Sequence, residues 1–441
     1  MKMNSLSGAF NFNTNSELCL GDLSLSEFTR KYLKNPIDDC GADDKELKFN
    51  TPLFLYSKNK LLTNFYAYKN AFHNLITSSN SFNIRTYISY SLKANYNPSI
   101  LKIFQENDSW CSLVNKNELL LALKCNFRGE KLIFNGNGKT LEEIELAIKS
   151  KCYLNIDSLF NLKHTLKVCQ KLANTGILDE PAKIVIRLNQ LINARVHQYL
   201  STSVHTCKFG VVEDQLDSLI KIIIENRHLV KLVGFHTHLG STIKDVNLYD
   251  ESVKHLIDVM KTTREKYRID TIDFLNFGGG LGIDYEKFSH RTMKESDFDK
   301  EREEKWIKPY DLAKVISKYV EDLKGLTIVV EPGRSLVGDA CILLTHLIGV
   351  KLNENRKFLV CDASMCECIR PCLYDAYHHI DYVTSPLKDD DADDYKVKED
   401  FVDVVGPVCE SGDFLGKNRY MKIPSEKCLE KEPIYMAIMV C

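Results

Sequence analysis

No apolar run in this 441-residue chain reaches the ~18–20 residues that a membrane-spanning helix needs, so a membrane-embedded protein is not expected. The first twenty residues, Met1 to Leu20, are polar and rich in Asn and Ser, and they lack the apolar core of a secretion signal. A cytoplasmic protein is expected, and no clear signal supports targeting to an organelle. An excess of charge of one sign is missing too. There are 58 Lys and Arg against 60 Asp and Glu, a net charge of −2, which gives no electrostatic reason to expect nucleic acid or an anionic membrane as partner. A small molecule is the expected partner. Cysteine is abundant, but the dense regular spacing of a secreted disulfide framework is absent: the 15 cysteines are odd in number and scattered, as suits a reducing compartment. Cys361, Cys366, Cys368 and Cys372 cluster, yet the run has no Cys-x-x-Cys pair and no second knuckle elsewhere, so no metal site is expected.

What is present is an ordinary globular composition, 44% hydrophobic and 27% charged, in a chain long enough for two cores. Between Arg85 and Ser335, short apolar runs alternate with stretches of helical period, the pattern of repeated βα units. The runs predict strands at Arg85–Ser91, Trp110–Val114, Lys131–Asn135, Tyr153–Asp157, Ile184–Asn189, Leu232–His238, Phe274–Phe277 and Leu326–Glu331. Eight such strands suggest a (β/α)8 barrel. After Ser335 the helical period stops. Ala340–Val350, Arg356–Asp362 and Asp400–Val405 read as strands of a second, mostly β domain. The expected division is 1–50 as an N-terminal segment joining the β domain, 51–336 as the barrel and 337–441 as the C-terminal β domain. The charge runs Glu295–Glu304 and Lys388–Tyr395 read as solvated loops.

The unusual residues fall at the ends of predicted strands. Lys93, in Tyr90-Ser-Leu-Lys-Ala-Asn95, follows a β-branched and aromatic run. Poor solvation there pushes its amine toward the neutral, nucleophilic form, able to make a Schiff base with a carbonyl. A lysine that merely snorkels at a strand end is the plainer alternative for that residue taken alone. Further on come Gly234-Phe-His-Thr-His-Leu-Gly-Ser241, Leu275-Asn-Phe-Gly-Gly-Gly-Leu-Gly-Ile-Asp-Tyr285, Glu331-Pro-Gly-Arg-Ser335 and Gly406-Pro-Val-Cys-Glu-Ser-Gly-Asp413. Barrel enzymes place their chemistry at the face where strands end.

In order and spacing these motifs resemble diaminopimelate decarboxylase, of the fold-type III pyridoxal-phosphate group that includes ornithine and arginine decarboxylases and shares the alanine racemase fold. The likeness covers roughly residues 50 to 417. It implies an α/β barrel plus a β domain, pyridoxal 5'-phosphate as cofactor, and conversion of meso-2,6-diaminopimelate to L-lysine and CO2, the last step of lysine biosynthesis. It also implies a homodimer with shared active sites, an amino-acid substrate, and neither nucleic acid nor membrane as partner. By resemblance, Lys93 is the Schiff-base lysine and His238 stacks on the cofactor ring. Gly278, Gly279 and Gly280 cradle the phosphate through their backbone N–H groups, with Ser241 and Gly333 beside them. Glu331 pairs with the ring nitrogen, and Arg334 lies near the phosphate and the substrate carboxylate. Cys409 is the general acid, contributed by the neighbouring subunit. Glu410 meets the distal ammonium of the substrate, while Arg370 and Tyr374 meet its distal carboxylate. His236, two residues before His238, reads as a packed core histidine.

Two departures stand out. The family's Asp-Ala-Gly-Ala-Tyr motif, expected some tens of residues after the cysteine, is absent from Glu432-Pro-Ile-Tyr-Met-Ala-Ile-Met-Val-Cys441, so no role passes to Tyr435 and an incomplete β domain is expected. Val114-Asn-Lys-Asn-Glu118 stands where relatives often have Ser-Gly. Two further readings follow: a decarboxylase of another basic amino acid, ornithine- or arginine-like, and a catalytically impaired homologue acting as a dimerising binding protein.

Overall fold

The computed structural model describes residues 10–13, 17–33, 48–78, 82–192, 207–285, 287, 289–292, 306–383 and 398–439. The charge run at 388–395 lies outside these residues, as does that at 295–304. The chain forms two compact units, Leu62–Ile283 with Lys305–Val337, and Met1–Leu61 with Asp284–Glu304 and Gly338–Cys441. The boundary falls after Leu61 rather than after residue 50, and a segment from inside the barrel's span of sequence belongs to the other unit.

Eight parallel strands close the first unit into a barrel: β1 (Arg85–Ser91), β2 (Trp110–Leu113), β3 (Leu132–Phe134), β4 (Tyr153–Ile156), β5 (Ala182–Arg187), β6 (Val230–His236), β7 (Phe274–Asn276) and β8 (Thr327–Val330). Each coincides with a predicted run to within two residues at either end. Their near-continuous apolar character fits strands covered on both faces. Trp110, Ile133, Val185, Val233, Phe274 and Val329 pack together, joined by Tyr87 and Tyr153. The Tyr153 and Phe274 rings stack at 4.8 Å. This plug makes the barrel a packed core rather than a pore.

The helices obey local rules. In Leu141–Lys149 the Thr140 side chain caps Glu143 N–H while Glu143 reaches back to Thr140, a capping box, and Ile144 and Ala147 turn inward. Glu143 also accepts from Lys116 N–H at 2.9 Å, so this glutamate faces structure rather than water alone. Asn115 caps Lys116–Lys124, and Glu118 accepts from Val114 N–H at 2.8 Å. The departure from Ser-Gly therefore preserves a well-formed helix start.

The second unit is built on a seven-stranded sheet whose long strand, Cys341–Asn353, pairs antiparallel with Leu53–Tyr56, Tyr435–Met439 and Arg356–Cys361. Lys398–Val405 runs parallel to Arg356–Cys361 and antiparallel to Phe414–Ile423. Ile380–Tyr382 pairs with Tyr435–Met439. Segment 435–439, left without a role by its sequence, is thus an interior strand, fully buried. Leu343, Leu347, Leu359, Val402, Val404, Leu415, Met436 and Ile438 form the core beneath the sheet. A small separate sheet of Phe10–Phe12, Leu18–Leu20 and Leu23–Ser24 leads into helix Leu25–Tyr32, capped by Ser24.

Candidate active site

The sequence-expected residues divide between the two units. On the barrel, Lys93 lies in the 3-10 turn Leu92–Ala94 that ends β1. That turn is stitched to the loop after β8: Ser91 N–H donates to Pro332 O at 3.0 Å, and Ser91 Oγ to Glu331 O at 2.9 Å. Gly333 allows the approach, since a Cβ there would lie 3.1 Å from Ser91 Cβ and 3.2 Å from Ala94 Cβ. Lys93 keeps exposed surface because it stands at the barrel mouth. Protein surrounds its amine nonetheless, and the lost hydration, reinforced by Arg187 and Arg334 and opposed by Glu331 and Glu118, holds its pKa below the ordinary lysine value.

Glu331 is the hub of the mouth. Its buried carboxylate accepts from Ser112 Oγ at 2.6 Å, from Asn276 Nδ2 at 2.9 Å, and from Asn135 Nδ2 at 3.0 and 3.1 Å to its two oxygens. Burial by itself would raise its pKa, but His236 and the donors from Ser112 and Asn135 outweigh that and hold the carboxyl well below the usual range. It is therefore a fixed anion. His236 Nε2 faces Glu331 Oε2 at 3.3 Å, while Asn155 Nδ2 donates to His236 Nδ1 at 2.9 Å. Burial lowers the His236 pKa, and the Glu331 charge opposes that shift. The reading of His236 as simple packing is thus corrected: it is buried, but against the central carboxylate.

His238 lies just beyond β6 and accepts from Gly279 N–H on Nδ1 at 3.2 Å. Desolvation, then Lys93 and Arg187, push its pKa well down, leaving a neutral ring. Gly278 and Gly280 have φ of +67° and +114°. A Cβ on Gly279 would fall 2.2 Å from Glu331 O, and one on Gly280 2.6 Å from Gly240 O. This close-approach turn packs against the residues that begin the Ser241 loop. Arg334, first residue of the short helix Arg334–Val337, donates from Nε to Ser241 Oγ at 3.2 Å. The structure therefore brings together Lys93, His238, Ser241, Gly278 to Gly280, Glu331, Gly333 and Arg334 at the C-terminal face of one barrel.

Sequence reading missed Ser112, Asn135, Asn155, Arg187 and Asn276. All sit in or just after short apolar strands, and a polar side chain inside a buried parallel strand is the signal that marks them. Arg187 pairs with Asp157 at 4.0 Å, both buried, and lies 4.5 Å over the Phe209 ring. Lys139, also missed, is buried at the same rim, and burial pushes its amine down to about 7 against the pull of Asp157.

On the β unit, Cys409 and Glu410 are exposed in the loop between Lys398–Val405 and Phe414–Ile423. Buried Asp413 holds that loop, accepting from Met365 N–H at 2.6 Å and Val408 N–H at 3.0 Å. A Cβ on Gly406 would meet Asp413 Oδ2 at 2.4 Å. Arg370 and Tyr374 bound the short helix Arg370–Tyr374, whose Cys372 Sγ contacts Phe414 O at 3.2 Å. In the cysteine cluster, Cys361 and Cys368 are buried in the core while Cys366 is exposed.

The barrel residues fit pyridoxal 5'-phosphate. A glycine turn that Cβ atoms would fill, with Ser241 and Arg334 alongside, suits a phosphate. A neutral-leaning amine suits an aldehyde, and a fixed buried carboxylate suits a pyridinium. A family model for the pyridoxal binding domain of pyridoxal-dependent decarboxylases matches residues 69–338. The probable chloroplastic diaminopimelate decarboxylase of Oryza sativa subsp. japonica is 36% identical over 389 residues, 88% of this chain and 70% of that protein. The diaminopimelate decarboxylase of Aquifex aeolicus (strain VF5) is 34% identical over 384 residues, 86% of this chain and 80% of that one. The crystal structure of diaminopimelate decarboxylase from Helicobacter pylori complexed with L-lysine matches with a TM-score of 0.73 at 31% identity, covering 89% of this chain and 86% of that one. Site chemistry, barrel and sequence thus agree, and the chain belongs to the family of pyridoxal-dependent decarboxylases.

Proposed function

We propose that the protein decarboxylates meso-2,6-diaminopimelate to L-lysine and CO2, as a homodimer in which each active site draws residues from both copies. The observation that carries the reaction is the buried Glu331 carboxylate, fixed by Ser112, Asn135 and Asn276 on the same face as Lys93. Bound pyridoxal 5'-phosphate supplies an electron sink conjugated to the substrate α-carbon.

Glu331 keeps a proton on the ring nitrogen, because its depressed pKa makes it an anion that pairs with a cation rather than an acid that neutralises one. Lys93 would hold the cofactor aldehyde, a role that its lowered pKa favours by keeping a share of the amine unprotonated. Neutral His238 covers the ring without adding positive charge. Gly278 to Gly280, Ser241 and Arg334 bind the phosphate. After CO2 leaves, the α-carbon needs a proton. Cys409 Sγ delivers it, and the thiolate then regains a proton from water. Exposure of Cys409 on a loop fixed by Asp413 supports its use by a partner copy.

Glu410 meets the ammonium and Arg370 with Tyr374 the carboxylate at the far end of the substrate. An acid and an Arg suit a zwitterionic amino-acid end and penalise substrates that lack the carboxylate. Free thiols in the described residues fit a reducing compartment such as the cytoplasm, and no described helix is long and apolar enough to cross a membrane.

The test is CO2 release from meso-2,6-diaminopimelate beside L-lysine and L-ornithine, with Lys93→Ala and Cys409→Ala assayed alone and mixed. Each variant alone should be inactive. Half of randomly re-associated dimers are mixed and hold one intact site of two, so the mixture should recover about a quarter of wild-type activity. A preference for ornithine overturns the roles of Arg370 and Glu410; absence of recovery overturns the shared site.

A further inference from the structure

The geometry points to His378 as the positioning residue that aims Arg370, and so as a determinant of selectivity for substrates with a distal carboxylate. This rests on the reading of Arg370 as the group that meets that carboxylate.

His378 is fully buried. Its Nδ1 lies 3.1 Å from Met439 O, and its Nε2 lies 3.0 Å from Arg370 Nη1. A carbonyl oxygen only accepts and a guanidinium only donates, so the two contacts leave a single arrangement. Nδ1 carries the proton and donates to Met439 O, and the Nε2 lone pair accepts from Arg370. The imidazole is therefore neutral and of defined tautomer. It converts the backbone of strand Tyr435–Met439 into a fixed acceptor for the guanidinium.

Two further contacts complete the clamp. The Arg370 guanidinium carbon lies 4.4 Å above the Tyr285 ring, and that ring meets His378 edge-on at 5.3 Å and 73°. Arg419 Nη2 donates to His378 O at 3.1 Å, pinning the backbone from which the imidazole projects. Arg370 itself is only half-buried, so its orientation is not imposed by close packing all round. A long Arg side chain loses considerable rotamer freedom when held in one place. Here the His378 acceptor and the Tyr285 face impose that loss during folding rather than during substrate binding.

The discriminating pair of variants is His378→Asn and His378→Gln. Asparagine keeps a donor near Nδ1 for Met439 O but has no acceptor that reaches Arg370. Glutamine keeps an acceptor near Nε2 but no donor for Met439 O. Competitive inhibition of the cofactor-loaded dimer by L-lysine is compared with that by 1,5-diaminopentane, the same molecule without the carboxylate. In H378N the advantage of lysine over the diamine should fall roughly tenfold, the scale of one hydrogen bond to a charged group, with the change in KM rather than kcat. H378Q should retain most of it. If the role of His378 is only structural, the pattern reverses, because the Met439 bond that ties down the strand survives in H378N and is lost in H378Q. Arg370→Met separates the two layers of the argument. If R370M keeps the advantage of lysine, the reading of Arg370 itself fails; if R370M loses it while H378N keeps it, only the role of His378 fails.

Discussion

Replacing Glu331 by Gln removes one charge and changes no shape, so its effect can be worked from the contacts. Glu331 Oε1 accepts from Ser112, Asn135 and Asn276, and Oε2 accepts from Asn135 at 3.1 Å and faces His236 Nε2 at 3.3 Å. The glutamine amide would place its oxygen where three donors converge and its NH2 toward Asn135 Nδ2 and His236 Nε2. Donor would then meet donor. His236 cannot easily present a lone pair there instead, because its Nδ1 already accepts from Asn155. The loss is about one charge-assisted hydrogen bond with its partners left unsatisfied, ~1.5–3 kcal/mol. For a unit of this size, at about 2–4 °C per kcal/mol, that corresponds to a fall in Tm of roughly 3–12 °C in the cofactor-free protein. The pH dependence has a definite sign. Burial opposes the Glu331 charge, but His236 and its donors prevail, so its folded pKa lies below the ordinary 4.5. The stabilisation is then fully present above 4.5 and declines as pH falls below it, and the gap between wild type and E331Q should narrow only on the acid side. Thermal melts at neutral pH and in the acid range, paired with titration of pyridoxal 5'-phosphate into both proteins, make the assay. An E331Q protein that melts at or above the wild-type temperature would refute the reasoning, since it would mean that the cost of burying the charge exceeds what its donors return.

The cradle and the cysteine loop provide two further checks. Gly279→Ala places a methyl group 2.2 Å from Glu331 O, so the turn must open; pyridoxal-phosphate affinity should fall by more than tenfold, and unchanged affinity would exclude this turn as the phosphate site. Asp413→Ala strips the acceptor from Met365 N–H and Val408 N–H; kcat should drop at least tenfold while cofactor binding at the barrel stays near wild type, and equal loss of both would point to general misfolding instead.

Much of the barrel was legible because its signals are local. Alternation of apolar runs with helical period reports on residues a few positions apart, which is why β1 through β8 appeared within two residues of their observed ends. Gly278 and Gly280 were legible as a turn, since positive φ favours glycine whatever surrounds it. Lys93 stood out from its position after a buried run. Ser112, Asn135 and Asn276 did not, because each is an ordinary polar residue until the barrel closes. Ser112 and Glu331 are 219 positions apart in the chain. The capture of part of 284–304 by the β unit was equally hidden, as nothing in that stretch changes composition enough to mark it.

The division has a physical basis. Composition, periodicity and turn chemistry act over a few residues, so the chain by itself determined its elements, its barrel, its family motifs and the chemistry that those motifs carry. Protonation and aim are set by every atom within several ångströms, whatever its place in the sequence. Only the tertiary structure therefore decided that Glu331 is a fixed anion, that His236 faces it rather than merely packing, that His378 presents a lone pair to Arg370, and that Asp413 holds Cys409 out to solvent.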